Sequence, residues 1–164
     1  YRINDKGSSL IRPGEELAIV PVSKSGGVIA KKTEGIERTT ENTYFIRPVD
    51  GGLNWGALHD SRYMPAVDFS KACGSEIYAA AAGTVTKVGN PLSYNSGYGG
   101  YIILAHPNGT RTLYAHNSEN VVEVGDSVEQ GEHIGNVGST GLTNGSTGCH
   151  VHFGVLGASN PFVR

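Results

Sequence analysis

Positive charge is what this sequence has least to spare. Thirteen Lys and Arg against fifteen Asp and Glu leave a net charge of −2, and no basic run stands out. Nucleic acid and anionic membrane surfaces are therefore not expected as partners. Long apolar stretches are missing too: none approaches the roughly 20 residues of a membrane span. No long amphipathic helical period is apparent, and only 17% of residues are charged. Cysteine is scarce. Cys73 and Cys149 are either two buried free thiols of a reducing compartment or one disulfide of an oxidising one. What is abundant is Gly, with 24 residues, beside eight Tyr and many Val, Ile and Thr. That is the composition of a turn-rich β protein. At 164 residues there is room for one domain with a sizeable core and a short appendage. The chain opens at Tyr1 with no visible signal peptide, and is expected to be a fragment of something longer.

Two regions separate on composition. Residues 1–44 read as an extension or linker. Within them Pro13-Gly14 forms a turn before the short apolar run Leu17 to Val20. Residues 45–164 carry dense strand signals. Thr84 to Val88 alternates as a half-buried strand does, and Glu76 to Gly83 leads into it. The runs Gly100 to His106 and Thr110 to His116 flank Pro107-Asn108-Gly109, an Asn-Gly hairpin signal. Val121 to Val128 and Glu132 to Val137 follow with Gly-punctuated turns, and His150 to Leu156 is the last strand. The expected architecture is all-β, a compact antiparallel sandwich or barrel with an open groove.

His150-Val151-His152 is the most informative triplet. Residues two apart in a strand share a face, so both imidazoles point one way while Val151 and Phe153 turn to a core. Such a pair suits a metal ligand beside a proton carrier. Asp68, in the apolar run Ala66 to Ser70, would be costly there without a cation, although a hydrogen-bonded carboxylate at a strand end meets the same need. His116 closes the second hairpin strand, where its ring can project over a groove or sit exposed in the loop. His106 and His133 read as exposed turn or strand residues.

Taken together, several segments resemble the lysostaphin-like (LytM) zinc metallopeptidases. They are Asp68 with Cys73 to Gly83, Gly97 to His106, Leu113 to His116, and Gly138-Ser-Thr-Gly141 running on to His150-Val-His-Phe153. Their order and spacing match from Trp55 to Phe162. Residues 9–21 also resemble the closing half of a LysM repeat. The resemblance implies a duplicated antiparallel β domain with a groove over one sheet. It implies Zn²⁺ as cofactor and peptidoglycan stem peptides or cross-bridges as substrate, with small residues such as Gly97, Gly99 and Gly100 along the rim. It also implies Asp68 and His152 as metal ligands, with His116 and His150 flanking the water and the scissile carbonyl.

The resemblance breaks at one place. The His of the family's HxxxD motif falls on Met64, and a thioether is a poor zinc ligand beside O and N donors. Either the domain binds the wall without cutting it, or His59 supplies the imidazole across a longer loop ended by Pro65, with Tyr63 or water as a further substitute. Loop insertions of a few residues cost little, and His59 is the expected third ligand. Because Cys149 precedes His150 and Cys73 has the opposite parity to Asp68, neither is expected to face the metal. They are expected to pair as a disulfide, which points to an extracytoplasmic location: secreted, periplasmic or wall-associated. A monomer is expected. A non-catalytic amidase-activating module and a structural envelope domain are the competing readings.

Overall fold

The computed structural model describes residues 44–59, 64–143 and 148–164. The LysM-like turn and strand, the linker up to Thr43, and Tyr63 lie outside them. The regular elements of the described chain are almost all strands: β1 (Leu53–Asn54), β2 (Ala66–Ser70), β3 (Glu76–Tyr78), β4 (Gly83–Gly89), β5 (Gly100–Ala105), β6 (Arg111–Asn117), β7 (Glu119–Asn120), β8 (Ser127–Val128), β9 (His133–Asn136) and β10 (His150–Leu156). Among the described residues the sole helical element is a single 3-10 turn at Asn95–Gly97.

Seven strands form one antiparallel sheet in the order β1-β2-β10-β6-β5-β4-β8, and β3-β9-β7 form a second. The β5–β6 hairpin turns through Pro107, Asn108 and Gly109, where the Asn-Gly signal stands: the Gly109 amide donates to the His106 carbonyl at 3.0 Å and Gly109 takes φ +83°. Alternation sorts the large sheet. Val67 and Phe69 of β2, Val151, Phe153 and Val155 of β10, and Ile102 and Leu104 of β5 are fully buried in one core. Ile77 and Ile134 of the small sheet join it. Each large side chain removed from water in this way contributes about 1.5–3 kcal/mol.

The other face of the large sheet carries a smaller cluster of Met64, Leu113 and Ala115, against which Tyr98, Tyr101 and Ile103 pack. Met64 is buried there, with its side chain over Gly154. It fills a floor position that any side chain at 154 would invade, which accounts for an apolar residue at the HxxxD position.

Cys73 and Cys149 form a disulfide, with Cα atoms 5.3 Å apart and a sequence separation of 76. The bond closes the end of the β2–β10 ladder, just beyond the pair His150↔Ser70. It therefore holds in register the two strands that carry Asp68 and His152. Replacing both cysteines by Ser is expected to lower unfolding stability by about 2–4 kcal/mol, the usual worth of a bond closing a long loop. Urea titration of the double variant against the oxidised protein checks this, and an unchanged midpoint would refute it.

Candidate metal centre

Asp68 and His152 face each other across the β2–β10 ladder as direct partners, and His152 pairs on its other side with Ala115 of β6. Their side chains meet on the groove face, with His152 Nδ1 3.1 Å from Asp68 Oδ1. His59 reaches the same point from outside the sheet. Its backbone makes two hydrogen bonds with Ala66, at 3.0 Å each, in an antiparallel bridge beside β2. His59 Nε2 then lies 3.0 Å from His152 Nδ1 and 3.2 Å from Asp68 Oδ1.

These three atoms fit a metal ion on their own chemistry. His59 Nδ1 donates to the Ala57 carbonyl at 3.0 Å, so Nε2 turns a lone pair inward. The carboxylate of Asp68 offers only lone pairs. At most one proton, on His152 Nδ1, is left to serve three short contacts. A cation removes that conflict. Tetrahedral zinc with bonds of 2.0–2.1 Å needs donors about 3.3–3.4 Å apart, close to the spacing found here. His59, Asp68 and His152 are the one His/Cys/Asp/Glu group of this kind among the described residues. Burial alone would raise the Asp68 carboxyl, but the hydrogen bond from His152 and the charges of His150, His59 and His152 outweigh it and hold the group below its ordinary range.

Two further imidazoles stand beside this centre, with His116 and His150 ring centroids 4.6 Å apart. His150 Nδ1 donates to the Gly148 carbonyl at 2.8 Å and His116 Nδ1 to the Thr140 carbonyl at 2.8 Å. Both rings thus keep Nε2 as the basic nitrogen. His150 Nε2 lies 3.7 Å from Asp68 Oδ2, and the half-exposed Trp55 ring stacks on His150 at 5.7 Å. The groove around them is about 560 Å³, lined also by Ser96, Gly97, Tyr98 and Leu142.

His116 occupies its place against simple alternation. Leu113 and Ala115 face the groove side, so His116 should point at the core with Thr112 and Tyr114. It does not, because β5 and β6 slip by one residue between Gly100 and Tyr101, and His116 takes φ +68°. This β-bulge aims the ring back over the groove. A non-glycine residue in that conformation costs on the order of 1–2 kcal/mol.

Three expectations need correction. His106 is not exposed: it is 6% accessible, donating from Nδ1 to the Ala82 carbonyl and accepting at Nε2 from Thr112 Oγ1. The Thr112 hydroxyl in turn lies 3.0 Å from Tyr114 Oη, which accepts from the Ala80 amide. The His106 ring caps a buried polar chain that alternation cannot reveal. His133 is half-buried and bonded to Gly135 and Asn136. Of the three rim glycines only Gly97 lines the groove. A Cβ on Gly99 would strike Thr140 and Gly141, and one on Gly100 would strike Asn117 and Pro91, so these glycines serve loop packing instead.

Burial lowers the pKa of His106, opposed by its bond to Ala82, and lowers that of His116 to about 4, opposed chiefly by its bond to Thr140. Both bind protons less readily in the folded chain than in the unfolded one, which takes them up below about 6.5. Stability is therefore complete above that pH and falls as acid is added, His116 contributing on the order of 2 kcal/mol before levelling off near pH 4. The urea midpoint of chelator-treated protein should drop between pH 7.5 and 5. A flat profile would contradict the assignment.

The fold and donor set together define a β domain with a divalent-metal centre in an open groove. The chain belongs to Peptidase family M23, whose profile matches residues 62–162, and M23 peptidases depend on zinc. Among its relatives, the DD-carboxypeptidase/endopeptidase Mpg of Neisseria meningitidis is 40% identical over 96 residues, covering 58% of this chain and 20% of that protein. The peptidoglycan DD-endopeptidase ShyC of Vibrio cholerae is 37% identical over 115 residues, covering 68% of this chain and 25% of that one. The catalytic domain of the antimicrobial peptidase lysostaphin from Staphylococcus simulans superposes with a TM-score of 0.51 at 33% identity, over 73% of this chain and 81% of that one. The chain thus spans about a fifth to a quarter of the length of these two curated relatives.

Proposed function

We propose that this domain is a zinc-dependent endopeptidase that hydrolyses peptide cross-links of bacterial peptidoglycan. The observation that carries the proposal is the convergence of His59 Nε2, Asp68 Oδ1 and His152 Nδ1 within 3.0–3.2 Å on the groove floor, with two Nε2-basic imidazoles alongside. Zinc bound there supplies a Lewis acid that polarises the scissile carbonyl and makes water nucleophilic near neutral pH. His59, Asp68 and His152 hold it. The ring of His116, kept neutral at pH 7 by burial, accepts a proton at Nε2. The His150 ring, fixed by Gly148 and covered by Trp55, stands across the reacting carbonyl, where a proton on Nε2 stabilises the developing oxyanion or passes to the leaving amine. The open groove accepts an extended peptide, and Gly97 lets it approach closely.

Peptidoglycan is the substrate class because ShyC is named a peptidoglycan DD-endopeptidase and Mpg a DD-carboxypeptidase/endopeptidase, and because a disulfide beside the centre suits an oxidising, extracytoplasmic compartment. The wall-binding reading without catalysis rested on Met64, and the approach of His59 to Asp68 and His152 argues against it. The test is digestion of purified sacculi by the zinc-loaded protein, with new amino termini identified by mass spectrometry. New peptide termini that vanish on chelation support the reading. Sacculi bound but left uncut would favour the non-catalytic module instead.

A further inference from the structure

His116 sits in a left-handed backbone conformation that its side chain does not favour, so something must hold it there. The loop after β9 supplies the restraint through one residue. Thr140 Oγ1 donates to the Asn117 carbonyl of β6 at 2.8 Å and accepts from the Gly100 amide of β5 at 2.8 Å. Gly100 and Asn117 are the pair that flanks the slipped register, where the ladder between the two strands is interrupted. A single hydroxyl therefore bridges the bulge that aims His116. The Thr140 carbonyl also accepts the His116 Nδ1 proton at 2.8 Å, and the His116 amide is anchored separately to the Tyr98 carbonyl at 2.9 Å. The glycines on both sides explain how Thr140 fits: Gly99 leaves room for its hydroxyl, and Gly141, at φ +76°, packs directly on the Gly97 carbonyl.

We propose that Thr140 is a positioning residue for His116, its hydroxyl fixing the bulge and its carbonyl fixing the ring tautomer. The proposal rests on the hydrolase reading for its kinetic consequence, but not for its structural one. Both partners of the Thr140 hydroxyl, the Asn117 carbonyl and the Gly100 amide, are backbone groups, so the role needs a hydroxyl at this position and nothing else of the side chain. Valine keeps the shape and removes the bridge, while serine keeps the bridge.

The test compares the zinc-loaded chain with Thr140→Val and Thr140→Ser. Three quantities are read: zinc content, kcat and KM on a purified cross-linked muropeptide dimer, and the ¹H–¹⁵N long-range spectrum of the His116 ring. Expected for Thr140→Val are about one zinc per chain, KM within about threefold, and kcat lower by about 10–100-fold, the scale of a misplaced proton carrier. Its His116 ring should lose the fixed Nδ1–H tautomer. Thr140→Ser should restore both rate and tautomer to within about threefold of the parent. A valine variant with unchanged kcat and tautomer would overturn the proposal, as would loss of zinc in both variants without rescue by serine. Should the valine variant not fold, the parent protein alone decides: a fixed Nδ1–H tautomer at His116 supports the proposal, and an Nε2–H or averaged ring overturns it. A parent that cleaves nothing sinks the hydrolase reading, and the ring spectra still judge Thr140.

Discussion

Replacing His59 by Ala is expected to take bound zinc from about one per chain to a small fraction of that, and hydrolysis to background. The reason is the count of donors. Asp68 and His152 are fixed by ladder pairing whatever happens at residue 59. Two donors do not close a tetrahedral site, and losses at groups merely supporting a ligand already reach about 10–100-fold in affinity, so losing a ligand itself should exceed that. The fold should survive, because the His59 side chain is 41% exposed and packs outside the core clusters. Metal-free stability is expected to change by no more than about 0.5 kcal/mol, while the extra stability conferred by zinc should disappear. Elemental analysis of both proteins after equal zinc loading reads this out. Stoichiometric, tight zinc in the variant would remove His59 from the centre. Adding Met64→His to the variant should not restore binding, since the side chain of residue 64 is buried against Gly154 and does not line the groove with Asp68 and His152.

His116→Ala is expected to behave oppositely: zinc retained, kcat lower by about 10²–10⁴-fold, KM little changed. The ring is outside the donor triad, so its loss removes a proton carrier and leaves the centre standing. Stability gives an independent reading of the bulge. In an ordinary strand Gly is less stable than Ala by roughly 0.5–1 kcal/mol. At φ +68° the order should reverse, with His116→Gly more stable than His116→Ala by about 1 kcal/mol. Urea midpoints of the two variants decide it. The usual order, Ala above Gly, would mean that His116 does not hold the left-handed conformation in solution.

Several elements could be read directly from the chain. The final strand was expected at residues 150–156 and is found there, and the Asn108-Gly109 turn joins β5 to β6. Asp68 and His152 were paired by motif, and strand parity alone put His150 and His152 on one face. These are short-range matters, governed by the two-residue period of a strand and by local turn chemistry. His106 shows where that reasoning stops. Nothing adjacent to it announces burial, because its partners Ala82 and Thr112 come from β3–β4 and β6 packing. Gly99 and Gly100 failed for the same reason, their neighbours being some forty and seventeen residues away in Thr140 and Asn117.

By itself, then, the sequence determined an all-β domain, its hairpins, and a short set of histidines and one aspartate suited to a metal, since pattern and turn residues act over a few positions. Only the tertiary structure decided which of them meet. The His59–Ala66 bridge brings the His59 imidazole within 3.2 Å of Asp68 and His152 while Met64 packs on Gly154, and a one-residue slip between β5 and β6 turns His116 out of the core. Both are consequences of loop closure and strand register, which depend on contacts between distant segments and leave no periodic mark in the chain.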